Sequence, residues 1–457
     1  MNRYSQLSDA LFTDLYELTM AQAYWRAGVT DQATFSLFFR GYPRNRSYYV
    51  FAGLEAILNY LEDFQFTGAD IDYLRTLDRF DEEFIEYLAE LRFTGDVRSM
   101  KEGTVCFGDE PVLEVRGPII EAQIAETFLL NQATFQSTVA TKASRVVHAA
   151  AGRSVVDFAA RRTQGTDAAM KVARTGYLAG YQATSNVKAG AVYGIPVVGT
   201  MAHSFIMAFD SEIEAFRAYT HAFPDYATLL VDTYDTLRGV RNAIEVGREL
   251  ESEGHVLRGV RIDSGDLAHL GREARKILDE EGFKDVGVFA SGGLDEYEVD
   301  RLVRDGTPFE GYGVGTKAGT SADAPYLDSA YKLVEYAGRP VLKLSSKKQS
   351  LPGCKQVYRT YTSDGSYDRD TISLVSEEAP SMSAKPLLEN VMTEGARING
   401  SPTLNDLRDE HALEFTRVPA RYKALRSAPR YPVEVSQRLK ELQREVVREV
   451  RDRELGE

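Results

Sequence analysis

Cysteine is nearly absent from this chain, with only Cys106 and Cys354 among 457 residues. So low a count excludes a disulfide framework and a thiolate-ligated zinc site. It fits a reducing compartment, and a cytoplasmic location is expected. An excess of positive charge is missing too. The formal net charge is −14, which argues against a nucleic-acid binder and implies solubility, nothing more specific. Long apolar segments are equally scarce. The one long uncharged run, Ala189 to Phe209, contains Pro196, His203 and three glycines. It therefore reads as a buried strand with flanking loops rather than a membrane span. Met1 to Tyr16 is polar and already carries Asp9 and Asp14, so no secretory signal is expected there.

What is present is a globular composition, 43% apolar, in a length that suggests two or three domains. One stretch runs against the global charge. Between Arg153 and Gly190, six cationic residues face only Asp157 and Asp167, a net of +4. That is either a solvated basic face or a patch that concentrates an anionic small-molecule substrate.

From about residue 150 to 320 one rhythm repeats. Short β-branched or apolar runs at Ser154–Ala159, Pro196–Ala202, Thr228–Tyr234, Gly259–Asp263, Val286–Ala290 and Gly311–Gly315 each lead into a polar or glycine-containing loop. Amphipathic helical spacing often follows, as in Leu237, Val240, Ile244, Leu250 and in Leu267, Leu270, Ala274, Ile277, Leu278. Gly254 and Gly282 stand where these helices should end. The last five runs begin 25 to 32 residues apart, the period of βα units. An incomplete (β/α) barrel is expected, with an open doubly wound sheet as the alternative. Buried helices are expected over Pro118 to Ala151, a helix at Leu15–Trp25, strands at Phe35–Phe39 and Glu110–Arg116, a hairpin around Ala337-Gly338-Arg339, and an amphipathic helix after Val433.

Parallel strands share one carboxyl-terminal face, where α/β folds place their chemistry. That face would gather Phe158, Arg161 and Arg162, then Thr200, His203 and Ser204, then Asp232 and Asp235. Asp263 and Asp266 follow, then Ser291, Gly292 and Gly293, then Gly315 and Thr316. Glycines let backbone N–H groups close on phosphate oxygens. Arginine grips phosphate or carboxylate in a fork. Carboxylates accept from ribose hydroxyls or hold Mg2+, and Phe158 offers a plate for a planar ring. The set describes a phosphorylated sugar with a planar partner.

At these residues the chain closely resembles nicotinate phosphoribosyltransferase, a type II phosphoribosyltransferase, over nearly its whole length. The resemblance rests on Thr13 to Met20 (TDLYELTM), Phe158 to Gly165 (FAARRTQG), Ala183 to Val187 (ATSNV) and Gly199 to Ser204 (GTMAHS). It extends to Arg261 to Asp266 (RIDSGD), Gly313 to Thr316 (GVGT) and Lys343 to Gly353. It implies that nicotinate, 5-phosphoribosyl 1-diphosphate, ATP and water give nicotinate mononucleotide, diphosphate, ADP and phosphate, within NAD biosynthesis and salvage. It implies an N-terminal α+β domain (1–117), a barrel domain (118–345) and a C-terminal segment (346–457) packing on the first. It implies Mg2+ and a homodimer with shared active sites.

Position by position, the resemblance makes His203 the phosphate acceptor from ATP, Thr200 a nicotinate contact, and Phe158 one face of a ring sandwich closed by the partner subunit's Tyr16. Arg161 would neutralise diphosphate, and Arg261 would bind substrate phosphate or carboxylate. Asp232 and Asp263 would hold ribose hydroxyls or water-bound Mg2+. Gly292, Gly293, Gly315 and Thr316 would cradle the 5-phosphate. In the related nicotinamide enzyme an aspartate occupies the place of Ser185, so serine favours the acid over the amide; a helix-capping role for Ser185 is the alternative. The rival readings are a nicotinamide or quinolinate enzyme, a non-catalytic phosphosugar-binding barrel, and a barrel aldolase or isomerase using Lys317.

Overall fold

The computed structural model describes residues 7–344, 350–398, 400 and 402–456. Residues 345–349 of the Lys343–Gly353 stretch thus lie outside the described residues. The chain divides into two compact units, Val139–Pro325 and Met1–Thr138 with Tyr326–Glu457.

The Val139–Pro325 unit carries six strands: β1 (Ser154–Asp157), β2 (Ala183–Thr184), β3 (Thr228–Leu230), β4 (Gly259–Ile262), β5 (Gly287–Ala290) and β6 (Gly311–Val314). Their order is β2-β1-β6-β5-β4-β3, and every neighbouring pair is parallel. The sheet curls without closing, so β2 and β3 remain edges. This is the incomplete (β/α) barrel expected from the sequence. Between strands run α1 (Thr166–Leu178), α2 (Val187–Tyr193), α3 (His203–Met207), α4 (Glu212–Ala222), α5 (Thr236–Ser252), α6 (Leu267–Glu280) and α7 (Glu296–Arg304).

The period-2 side-chain alternation separates two environments. Val260, Ile262, Val288 and Ala290 are fully buried, on strands packed against α5 and α6. Val156, Arg261 and Phe289, on the other face, line an interior cavity of 700 Å³. A closed barrel of this kind fills its interior with side chains; the unclosed sheet leaves this one open.

The helices begin and end where side-chain chemistry dictates. Asp235 accepts from the backbone N–H of Arg238 at 2.8 Å to start α5, and Asp266 from that of His269 at 3.2 Å to start α6. Gly254 and Gly282 follow these helices in left-handed conformation.

One expected strand is absent. Of Pro196–Ala202, only Val197 pairs, in a single parallel bridge to Thr184. Pro196 has no N–H to donate and Gly199 weakens a strand, so the segment stays a loop beside β2.

The other unit is α+β, built from both ends of the chain. Its antiparallel seven-stranded sheet contains Ser329–Tyr336, Gln32–Phe39 and Pro111–Pro118 as neighbours, and a four-stranded sheet contains Lys355–Tyr361 and Tyr367–Leu374. Phe35 stacks on Tyr331 across paired strands at 4.7 Å between ring centroids. The expected helices appear at Leu15–Ala27, Ile119–Ile124, Glu126–Ala149 and Gln437–Leu455, and the hairpin at Ser329–Tyr336 with Arg339–Pro340.

Candidate active site

At the carboxyl ends of the parallel strands the chain encloses a cavity of 590 Å³. It gathers Phe158 and Arg161 from beyond β1, Ser185 from beyond β2, and His203 from the start of α3. Arg261 comes from β4 and Asp263 from just beyond it, Gly292 and Gly293 from beyond β5, and Gly315 and Thr316 from beyond β6. Ten of the thirteen residues given roles by the family resemblance therefore line one cavity. Thr200, Asp232 and Tyr16 do not.

Thr200 lines the interior cavity instead. The two cavities share Phe158, Gly199, Arg261 and Gly313. Asp232 lines neither cavity: its Oδ2 accepts from the backbone N–H of Asp263 at 3.1 Å and from Ser264 Oγ at 2.6 Å. Tyr16 belongs to the other unit, where it is exposed. Asp235 and Asp266, grouped with the strand-end carboxylates in the sequence, are the helix caps described above. Lys317 is exposed and ion-paired with Asp295 at 3.4 Å, unlike the desolvated lysine a Schiff base needs.

Backbone geometry explains two glycines. A Cβ on Gly313 would lie 2.4 Å from the ring of Phe158, so only glycine lets that ring settle against β6. Gly292 has a φ of +87°, and its Cβ would fall 1.8 Å from the carbonyl oxygen of Asp263.

Arg261 is the best-defined cation. Its Nη2 donates to the carbonyl of Met201 at 2.9 Å, and its guanidinium carbon lies 5.7 Å from the centroid of the Phe158 ring. Burial pulls its pKa below the usual arginine value. Its Nε is buried with no partner among the described residues, as are Thr200 Oγ1, Tyr312 OH and Asp232 Oδ1. Unpaired buried polar atoms are uncommon in a folded protein, and three of these four belong to residues of the interior cavity that adjoins Phe158. Arg161 and Arg162 are exposed and without an ion-pair partner among the described residues, whereas Lys171 of the same basic stretch pairs with Asp167.

His203 Nδ1 lies 3.1 Å from Thr233 Oγ1, which leaves Nε2 to face other partners. Asp263 Oδ1 accepts from Ser291 Oγ. Ser185 does not cap α2: Asn186 does, accepting from the backbone N–H of Ala189 at 3.2 Å. Sequence reasoning missed Thr233 and the Met201 carbonyl, which meet His203 and Arg261 30 and 60 residues away in the chain and are invisible to local pattern. Among the described residues, no three or more of His, Cys, Asp and Glu cluster as a metal site.

Residues 11–133 match the nicotinate phosphoribosyltransferase N-terminal domain, 153–357 the nicotinate phosphoribosyltransferase family, and 381–443 the C-terminal domain. The chain belongs to the nicotinate phosphoribosyltransferase family. It is 50% identical over 432 residues to nicotinate phosphoribosyltransferase pncB2 of Mycobacterium tuberculosis, covering 94% of this chain and 92% of that protein. It is 39% identical over 457 residues to the Bacillus subtilis nicotinate phosphoribosyltransferase, covering 94% and 93%. The crystal structure of human nicotinic acid phosphoribosyltransferase superposes with a TM-score of 0.86 at 30% identity, covering 95% of this chain and 99% of that one. The fold is shared by a nicotinate-nucleotide pyrophosphorylase from Pyrococcus furiosus, at a TM-score of 0.73 and 24% identity. The central family match, residues 153–357, covers most of the half-barrel unit.

Proposed function

We propose that this chain joins nicotinate to the ribosyl carbon of 5-phosphoribosyl 1-diphosphate, releasing diphosphate and forming nicotinate mononucleotide, with ATP hydrolysed alongside. The observation that carries this reading is a pair of buried donors with no partner among the described residues, Thr200 Oγ1 and Arg261 Nε, on the interior cavity that Phe158 also lines. A pyridine stacked on Phe158 would direct its carboxylate to them and so satisfy two buried groups that otherwise cost stability. Ser185, free of the capping role, supplies a further donor on the adjoining cavity, which Phe158 and Arg261 also line. A carboxylate-bearing ring suits this set better than an amide.

As diphosphate departs, the anomeric carbon becomes cationic and the pyridine nitrogen attacks it with its own lone pair. No general base is needed. The chain's work is to align the two reactants and stabilise the leaving anion. Arg161, exposed on the cavity and without a carboxylate partner among the described residues, neutralises diphosphate. The left-handed turn at Gly292 and Gly293, with Gly315 and Thr316, receives the 5-phosphate on backbone N–H groups.

Mg2+ fits the carboxylates present. Asp232 Oδ1 is buried with no partner among the described residues, and one oxygen of Asp263 is held by Ser291 while the other is not. Mg2+ is usually held by one or two carboxylates together with substrate phosphates and water. Bound there, it would supply charge neutralisation to the diphosphate. His203, with Nδ1 turned to Thr233, presents Nε2 to the γ-phosphate of ATP. The phosphoryl group so acquired adds about two negative charges to an arginine-lined cavity and reorders it for substrate. Tyr16 of a partner subunit closes the ring sandwich in a homodimer.

The test is product formation from nicotinate, nicotinamide and quinolinate in parallel, each with and without ATP. The expected result is nicotinate mononucleotide from nicotinate, faster with ATP. A preference for nicotinamide or quinolinate would overturn the assignment.

A further inference from the structure

Phe158 and Ser185, both assigned above to the pyridine, follow the neighbouring strands β1 and β2. A single buried carboxylate lies between the two turns that carry them. Asp157, the last residue of β1, is 1% exposed. Its Oδ1 accepts from the backbone N–H of Ala159 at 2.8 Å and so braces the turn around Phe158. Its Oδ2 accepts from the hydroxyl of Thr184 at 2.7 Å. That hydroxyl in turn accepts from the backbone N–H of Asn186 at 3.0 Å, bracing the turn around Ser185. The carbonyl of Asp157 accepts from the N–H of Ser185 at 2.9 Å.

No cation pairs with this carboxylate among the described residues; its two side-chain hydrogen bonds are those from Ala159 and Thr184. Burial raises its pKa, against the lowering effect of both bonds. An unpaired buried carboxylate works against stability, and an apolar residue would avoid that cost. What the carboxylate offers is acceptance on both oxygens at once. An amide would turn one end into a donor and leave an N–H or O–H opposite it unsatisfied.

We propose that Asp157, acting through Thr184, is a positioning residue that fixes the spacing between Phe158 and Ser185 and thereby the fit of the carboxylated pyridine. The proposal rests on the reading of those two residues as pyridine contacts.

Three variants test it: Thr184→Val, which keeps shape and loses the hydroxyl; Thr184→Ser, which keeps the hydroxyl; and Asp157→Asn. Kinetics are measured against nicotinate and against 5-phosphoribosyl 1-diphosphate separately, with the thermal midpoint recorded for each variant. The KM for nicotinate should rise roughly tenfold in Thr184→Val and Asp157→Asn, the effect of one displaced hydrogen bond. The KM for the phosphosugar should stay at the wild-type value, and Thr184→Ser should restore the nicotinate KM. If Asp157→Asn fails to fold, the valine and serine pair at position 184 still decides. A nicotinate KM unchanged in Thr184→Val overturns the proposal, as does a parallel rise for both substrates that serine fails to rescue. A wild type that makes no nicotinate mononucleotide overturns the functional reading, and this proposal with it; an active wild type with an unresponsive Thr184→Val overturns this proposal alone.

Discussion

At position 203 a histidine opens a short helix, its Nδ1 held by Thr233 and its other nitrogen free to act. Incubation with γ-labelled ATP should label the wild type and leave His203→Ala unlabelled; equal labelling of both would move the phosphate acceptor elsewhere. Ser185 carries a second prediction. An aspartate there would set a negative charge against the carboxylate of nicotinate, so Ser185→Asp should raise the KM for nicotinate by roughly 10- to 100-fold. An unchanged KM would remove Ser185 from the site. Both residues are legible in the sequence because each follows a recognisable β-branched run or motif. Thr233 and Asp157 are not. Each touches a partner far along the chain, 30 residues from Thr233 and 27 from Asp157, and no local pattern marks a hydroxyl or carboxylate for that task.

Among the elements, five of the six expected strand runs of the half-barrel contain strands, because each pairs β-branched or apolar residues with the right spacing. The sixth, Pro196–Ala202, has the apolar content but lacks the donor at Pro196, so composition misled where hydrogen bonding decided. Strand β2 has the reverse history. Two residues long, it is too short for any periodic signal and is defined by its pairing with Val156 and Asp157. The acidic residues that follow β3 and β4 separate by role: Asp232 and Asp263 belong to the site's network, Asp235 and Asp266 to helix starts. Replacing either cap by alanine should lower stability by about 1 kcal/mol, read in denaturant unfolding, and leave the KM for nicotinate unchanged. A large loss of activity with full stability would place those carboxylates in the chemistry instead.

Across the whole molecule, the family's opening motif turns out to hold a buried acid. Glu17, in the helix Leu15–Ala27, is fully buried and accepts from Thr127 Oγ1 at 2.7 Å and from Thr13. Burial first, then the nearby Glu126 and Asp14, lifts its pKa from 4.5 to about 7. The folded chain thus holds this proton more tightly than the unfolded chain. The stability it gives is complete below pH 4.5 and is lost as pH rises through about 7. Thermal midpoints measured across that window should fall more steeply for the wild type than for Glu17→Gln; parallel curves would mean that Glu17 titrates normally.

The proposed reaction depends on a half-barrel whose strand ends bring a pyridine carboxylic acid and the departing diphosphate together. Its most direct test follows labelled nicotinate and 5-phosphoribosyl 1-diphosphate together with the purified chain, in wild type and in Arg261→Lys. Nicotinate mononucleotide and diphosphate should appear in equal amounts from the wild type, with kcat/KM lower by roughly 100-fold in the variant, which keeps the charge but loses the guanidinium fork. Binding of nicotinate without release of diphosphate, or a variant as fast as the wild type, would contradict it.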